Sequence, residues 1–137
     1  MSYQSLPSFM TLTNQQELIK YKGLQIAPAE IEGLLDEHPD ILEAAVVGIP
    51  DPSEDASSSG AAHSEIPRAY VVPVKNSKIT PDAVKDLVKN TLAPYKQLRG
   101  GVVFVDELPK NSLNKLLRRE LRDRALHEIK GAQRAKL

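Results

Sequence analysis

The chain has 137 residues, 18 Lys plus Arg against 18 Asp plus Glu, and 41% hydrophobic side chains. That length suits one modest core and excludes two, and the balanced charge excludes a molecule-wide field drawing it to nucleic acid or an anionic membrane. With no cysteine, disulfide frameworks, thiol nucleophiles and cysteine zinc sites are excluded together, and the 3 histidines are too scattered for metal-ligand spacing.

Residues 1–16 are polar and patternless, with no Lys or Arg and no apolar run. They are expected to form an unstructured lead-in and not a secretory signal. No stretch has the length to span a bilayer, so the chain reads as soluble. "ELIKYKGLQI" then reads as two short strands turning near Tyr21–Gly23, with Ile19, Leu24 and Ile26 available for packing. Pro28 suits the first turn of a helix, and Ile31, Leu34, Leu35 and His38 recur at helical spacing until Pro39 stops it.

"ILEAAVVGIP", "RAYVVPV" and "GGVVFVDEL" are apolar runs rich in β-formers. Between the last two, Thr80 can cap a helix with Pro81 at its first position, and Val84, Leu87, Val88 and Leu92 line one face. A final helix is expected from about Asn114 to about Ile129, with Leu117, Leu121 and Ala125 on its buried side. The order hairpin, helix, strand, strand, helix, strand, helix predicts a small α+β fold. A three-stranded sheet with flanking helices is joined to an N-terminal two-stranded hairpin. The Ser/Ala/Gly tract within residues 51–65 cannot bury enough apolar surface to order itself and is expected to be a flexible insert. The domain proper is expected over residues 17–127, followed by a basic tail over 128–137.

No catalytic set is complete. Gly100–Gly101 precedes a strand, whereas a phosphate-cradling loop follows one. What remains are lysines in conspicuous places. Lys20 and Lys22 flank the hairpin turn, where solvated lysines also serve to discourage edge pairing. Lys115 is expected at the mouth of the last helix, where a cation works against the helix dipole. It either sits in water at small cost or is delivered to a polyanion, where a point charge stabilises developing negative charge.

The stretches "ELIKYKGLQIAPAEIEGLLDEHPDILEAAVVGIPD", "IPRAYVV" and "LPKNSLNKLLRREL" follow one another in the order found in a known family. Over about Glu17 to Ala125 the chain resembles the C-terminal domain of the adenylate-forming, AMP-binding acyl-CoA synthetases, with the best likeness to 4-coumarate–CoA ligases and their fungal relatives. The resemblance implies a mobile lid for an enzyme that uses ATP, Mg²⁺ and CoA to make an acyl-adenylate and then a thioester. By that resemblance Lys115 is the adenylation lysine. Lys20 and Gln25 approach the adenylate, and Lys22 and Gly23 lie beside CoA. No metal ligand is implied on this chain.

The departures are specific. The family writes glycine before the lysine of its end motif, where this chain has Leu113 and Asn114; losing the glycine is expected to stiffen or redirect the loop. The family's charged hinge is replaced by Thr13, Asn14, Gln15 and Gln16. The large N-terminal domain carrying the ATP loop and acyl pocket has no counterpart here, so no cofactor is expected to bind this chain alone. Positioning ATP and a carboxylate is most of the catalysis, so no ligase activity is expected without an N-terminal domain as partner in trans.

Ala135-Lys136-Leu137 resembles the Ser-Lys-Leu address read by the peroxisomal import receptor, so a peroxisomal location is expected and a cytoplasmic one otherwise. Basic residues crowd the region after Pro109, but without aromatic stacking residues and with Glu120 and Asp123 interleaved it does not read as a nucleic-acid surface. A detached lid is therefore one reading. A non-catalytic binding or regulatory module on the same fold is the alternative.

Overall fold

The computed structural model describes residues 18–52 and 64–135, with side chains as far as residue 131. The lead-in over 1–16, the interior of the insert (53–63) and the terminal Lys136 and Leu137 lie outside the described residues. Strands β1 (Ile19–Tyr21) and β2 (Leu24–Ile26) pair antiparallel with Ile19 opposite Ile26, Lys20 opposite Gln25 and Tyr21 opposite Leu24. Lys22 and Gly23 between them have φ of 46° and 82°. Two successive left-handed residues match the twist of the flanking strands, which is why two-residue hairpins use them. Alternation then buries Ile19 and Ile26 and leaves Lys20 and Gln25 exposed.

Helix α1 (Pro28–Asp36) starts on Pro28, whose missing N–H costs nothing in the first turn. Helix α2 (Pro81–Thr91) is capped as its sequence predicts, Thr80 Oγ1 accepting from Ala83 N–H at 3.1 Å. A single turn of 3-10 helix over Pro94–Lys96 follows it.

Strands β3 (Ile41–Pro50), β4 (Glu65–Pro73) and β5 (Val102–Phe104) form a sheet in that order, β3–β4 antiparallel and β4–β5 parallel. The β3–β4 ladder runs from Ile41–Pro73 to Pro50–Glu65, so the insert joins the two strands of one long hairpin. Both faces of the sheet are covered. Ala44, Val46, Ala69 and Val71 pack with Ile31 and Leu35 of α1, Val84 and Val88 of α2, and Ile19 and Ile26 of the small hairpin. Ala45, Val47, Ile49, Tyr70 and Val72 pack on the other side with Leu121 and Ala125 of α3 (Arg118–Ala135). Two covered faces explain the unbroken burial from Ala44 to Ile49 and the lack of alternation in that stretch. The fold is the small α+β arrangement expected from the sequence.

The last helix departs from expectation. It begins at Arg118 rather than Asn114 and continues to Ala135, because the residues before it are committed to other hydrogen bonds.

Candidate functional site

The hairpin carries four of the candidate residues, and Lys20, Lys22, Gly23 and Gln25 are all exposed. A left-handed conformation costs a non-glycine residue roughly 1–2 kcal/mol, so Lys22 needs support. Its N–H donates to Ser64 Oγ at 2.9 Å, and the Lys20 N–H reaches Glu65 Oε1 at 3.4 Å. Lys22 Nζ lies 5.4 Å from the centroid of the Tyr21 ring, and Arg99 Cζ lies 4.8 Å from the same ring, cation–π contacts of about 0.5–1 kcal/mol each at exposed sites.

Lys115 stands in a loop, not at the mouth of a helix. Lys110 and Leu116 form an antiparallel bridge, and Asn111 organises everything between. Its Oδ1 accepts from the N–H groups of Leu113 at 2.8 Å and Lys115 at 3.0 Å, while its own N–H donates to Lys115 O at 2.9 Å. The Leu117 N–H, a would-be first-turn donor, is taken by Pro109 O at 2.9 Å. These bonds delay α3 to Arg118 and hold Lys115 at an exposed tip. The dipole objection to a lysine there loses its basis.

Asn114 has φ 65°. It occupies the left-handed region where glycine is at home and where asparagine is the best tolerated alternative. Beside the tip, Leu113 is 75% exposed. At the loop's base Lys110 pairs with Glu43 of β3, and burial followed by the Glu43 carboxylate raises the nearby Asp36 carboxyl above its ordinary value.

Sequence reasoning missed Glu32. It is buried on α1, accepts from the Val46 N–H at 2.8 Å on the free edge of β3, and takes both Arg118 Nε at 3.1 Å and a second Arg118 nitrogen. Burial raises its carboxyl above the ordinary value, against the pull of Arg118 and the Val46 N–H. The signal was present: Pro28, Ile31, Glu32 and Leu35 fall at i, i+3, i+4 and i+7, which puts Glu32 on the buried stripe.

The hairpin and the Lys115 loop are not brought together. The hairpin lies against Gly48, Ser64 and Glu65 at one end of β3–β4, while the loop is fastened to Glu43 near the other. Gly48 lies five residue steps along β3 from Glu43, about 17 Å at the rise of a strand. Grooves of about 200 and 300 Å³ lie at the two places. The first is lined by Val46, Gly48, Arg119 and Arg122 among others, the second by Asp36, Glu43, Lys110 and Asn114 among others. Among the described residues no cluster of three or more His, Asp or Glu side chains is placed to hold a metal ion, and no helix is long and apolar enough to cross a membrane. Of the address residues, Ala135 closes α3.

Fold and site together define a small α+β domain whose candidate residues stand on two exposed loops rather than in one pocket. The chain belongs to the AMP-binding enzyme C-terminal domain family, whose model matches residues 30–115. It is 52% identical over 111 residues to a putative acyl-coenzyme A synthetase of Emericella nidulans, and 47% identical over 111 residues to 4-coumarate–CoA ligase-like 5 of Oryza sativa subsp. japonica. Each match covers 81% of this chain and 19% of the relative, so the chain spans about a fifth of their length. The crystal structure of an acyl-CoA synthetase from Brucella canis matches with a TM-score of 0.70 at 32% identity, covering 83% of this chain and 20% of that one.

Proposed function

We propose that this domain is the mobile lid of an ATP-dependent acid–CoA ligase of the 4-coumarate–CoA ligase-like group, active only together with a large nucleotide-binding domain. The observation that carries the reading is the placement of the Lys115 loop and the hairpin about 17 Å apart along β3. On this reading each loop serves one half-reaction, and the domain presents them in turn.

In the first half-reaction a carboxylate oxygen attacks the α-phosphorus of ATP and pyrophosphate leaves. Two anions approach each other, and Lys115, whose backbone Asn111 holds at a loop tip, supplies the positive charge between them through its exposed ammonium. In the second the CoA thiol attacks the acyl carbon and AMP leaves. Lys20 and Gln25, opposite each other across the hairpin, face the adenylate, and Lys22 and Gly23 lie beside CoA. The described residues offer Mg²⁺ no cluster of ligands, and what this chain brings to the reaction is its cations and its hairpin.

The test is reconstitution. This chain is mixed with the separately expressed N-terminal domain of a close relative, and acyl-CoA formation dependent on ATP and acid is measured. Activity that appears with the mixture and vanishes with Lys115→Ala supports the lid. A folded chain that neither associates nor restores activity overturns it. The peroxisomal address in Ala135-Lys136-Leu137 is part of the same proposal. A fluorescent protein given those three residues at its own C-terminus tests it, peroxisomal puncta supporting and diffuse fluorescence refuting it.

A further inference from the structure

We infer that Ser64 and Glu65 are positioning residues that hold the Ile19–Ile26 hairpin in the conformation presenting Lys20 and Lys22; the inference rests on the hairpin's CoA-side role proposed above. The hairpin is only three residues long on each side, and a two-stranded ribbon of that size has little stability of its own. Its buried faces, Ile19 and Ile26, fix where it sits. They do not fix the turn, whose residues are exposed.

The turn is held from outside. Ser64 is 6% exposed and lies 42 residues along the chain from Lys22, yet its hydroxyl oxygen accepts the Lys22 N–H at 2.9 Å. The backbone that carries it is itself anchored, because the Asp51 N–H donates to the Ser64 carbonyl oxygen at 3.0 Å and closes the end of the β3–β4 ladder. One residue on, the Glu65 carboxylate divides its oxygens. Oε1 faces the Lys20 N–H, and Oε2 takes Arg122 of α3 at 2.8 Å.

Gly48 makes the room. A Cβ at Gly48 would lie 3.1 Å from Ile19 Cγ1 and 3.2 Å from Glu65 Oε1, so β1 and the carboxylate both occupy the space a side chain would need. Turn, strand and carboxylate therefore meet over one glycine. Residues 64 and 65 act through the hairpin backbone and not through the ligand. Their role is to keep the hairpin preformed, so that binding does not have to order it.

Amide hydrogen exchange by NMR on the full chain tests the first half of this. Ser64→Ala is expected to speed exchange of the Lys22 amide at least tenfold, with the Val46 and Val71 amides unchanged; Glu65→Ala is expected to do the same at Lys20. Unchanged exchange at the turn overturns the inference, as does an increase spread through Val46 and Val71. In the reconstituted ligase, Ser64→Ala is expected to raise the KM for CoA several-fold while pyrophosphate release keeps its rate. An equal fall in both half-reactions overturns it. If the unsubstituted mixture forms no thioester, the lid reading fails, and the exchange comparison still decides whether Ser64 holds the turn.

Discussion

Glu32 and Arg118 meet across the free edge of β3, tying α1 on one face of the sheet to the start of α3 on the other. Removing Arg118 would leave a carboxylate with one N–H partner in a site where its side chain is only 11% exposed. Arg118→Ala is expected to cost about 3 kcal/mol, the low end for breaking a buried pair. Glu32→Gln added to it should recover part of the loss, since the amide still accepts from Val46.

The pH dependence has a definite sign. Burial raises the folded-state value of Glu32 above its unfolded one, so its favourable contribution is complete at low pH and is lost as pH rises through the raised value. Asp36, raised by burial and by Glu43, adds the same sign. Arg118→Ala takes away one of the two pulls opposing burial. Its deficit relative to the parent chain should therefore be larger at pH 7 than at pH 5 in urea unfolding, and a deficit independent of pH would refute the account.

Two glycines predict opposite outcomes. Gly33 lies inside α1 with nothing within 4 Å of a built Cβ, so Gly33→Ala should stabilise by up to about 1 kcal/mol. At Gly100 a Cβ would sit 2.7 Å from Pro67 O and 3.0 Å from Ile49 Cδ1. The backbone is drawn together there by the Gly100 N–H to Pro67 O bond of 2.8 Å. Gly100→Ala should destabilise by about 1–3 kcal/mol. Thermal unfolding of the two variants side by side checks the signs.

Asn114 gives a third test. At φ 65° it should be replaced by glycine with a change of only a few tenths of a kcal/mol, because glycine has no Cβ penalty there. Asn114→Val should cost roughly 1–2 kcal/mol and disturb the amides of Leu113 and Lys115 in an NMR spectrum. A silent valine variant would mean that the loop does not depend on that backbone conformation.

Local signals made much of this fold legible. The hairpin followed from the Tyr21–Gly23 turn with Ile19 and Ile26 for packing, although Leu24, expected to pack with them, is 44% exposed, and α2 followed from Thr80, Pro81 and a stripe through Val84 and Val88. What escaped was settled by contacts between distant residues. The run "ILEAAVVGIP" coincides with β3, whereas the start of β4 at Glu65 escaped because it is set by pairing with Pro50 across the ladder. The start of α3 escaped because Asn111 and Pro109 take hydrogen bonds that local propensity does not weigh. Lys115 was expected at a helix mouth and stands in a loop before it. Glu32 was readable from spacing, but its partner Arg118, 86 residues away, was not.

On the proposed lid function, separate loops predict that the two half-reactions fail independently. Lys115 is exposed and its backbone, not its side chain, holds the loop, so Lys115→Ala should leave the unfolding temperature unchanged. In the reconstituted ligase it should slow pyrophosphate release by roughly 10²–10³-fold, the scale for removing one charge-stabilising donor. Thioester formation from a supplied acyl-adenylate should persist. Gly23→Val should do the reverse. Its site has space for a side chain but requires φ 82°, a conformation that valine resists, so the turn proposed to serve CoA would distort while adenylation continues. Rapid-quench assays of each half-reaction separate the cases. If either variant loses both steps to the same degree, the two loops act at one place and time, and a lid that presents them in turn is the wrong description.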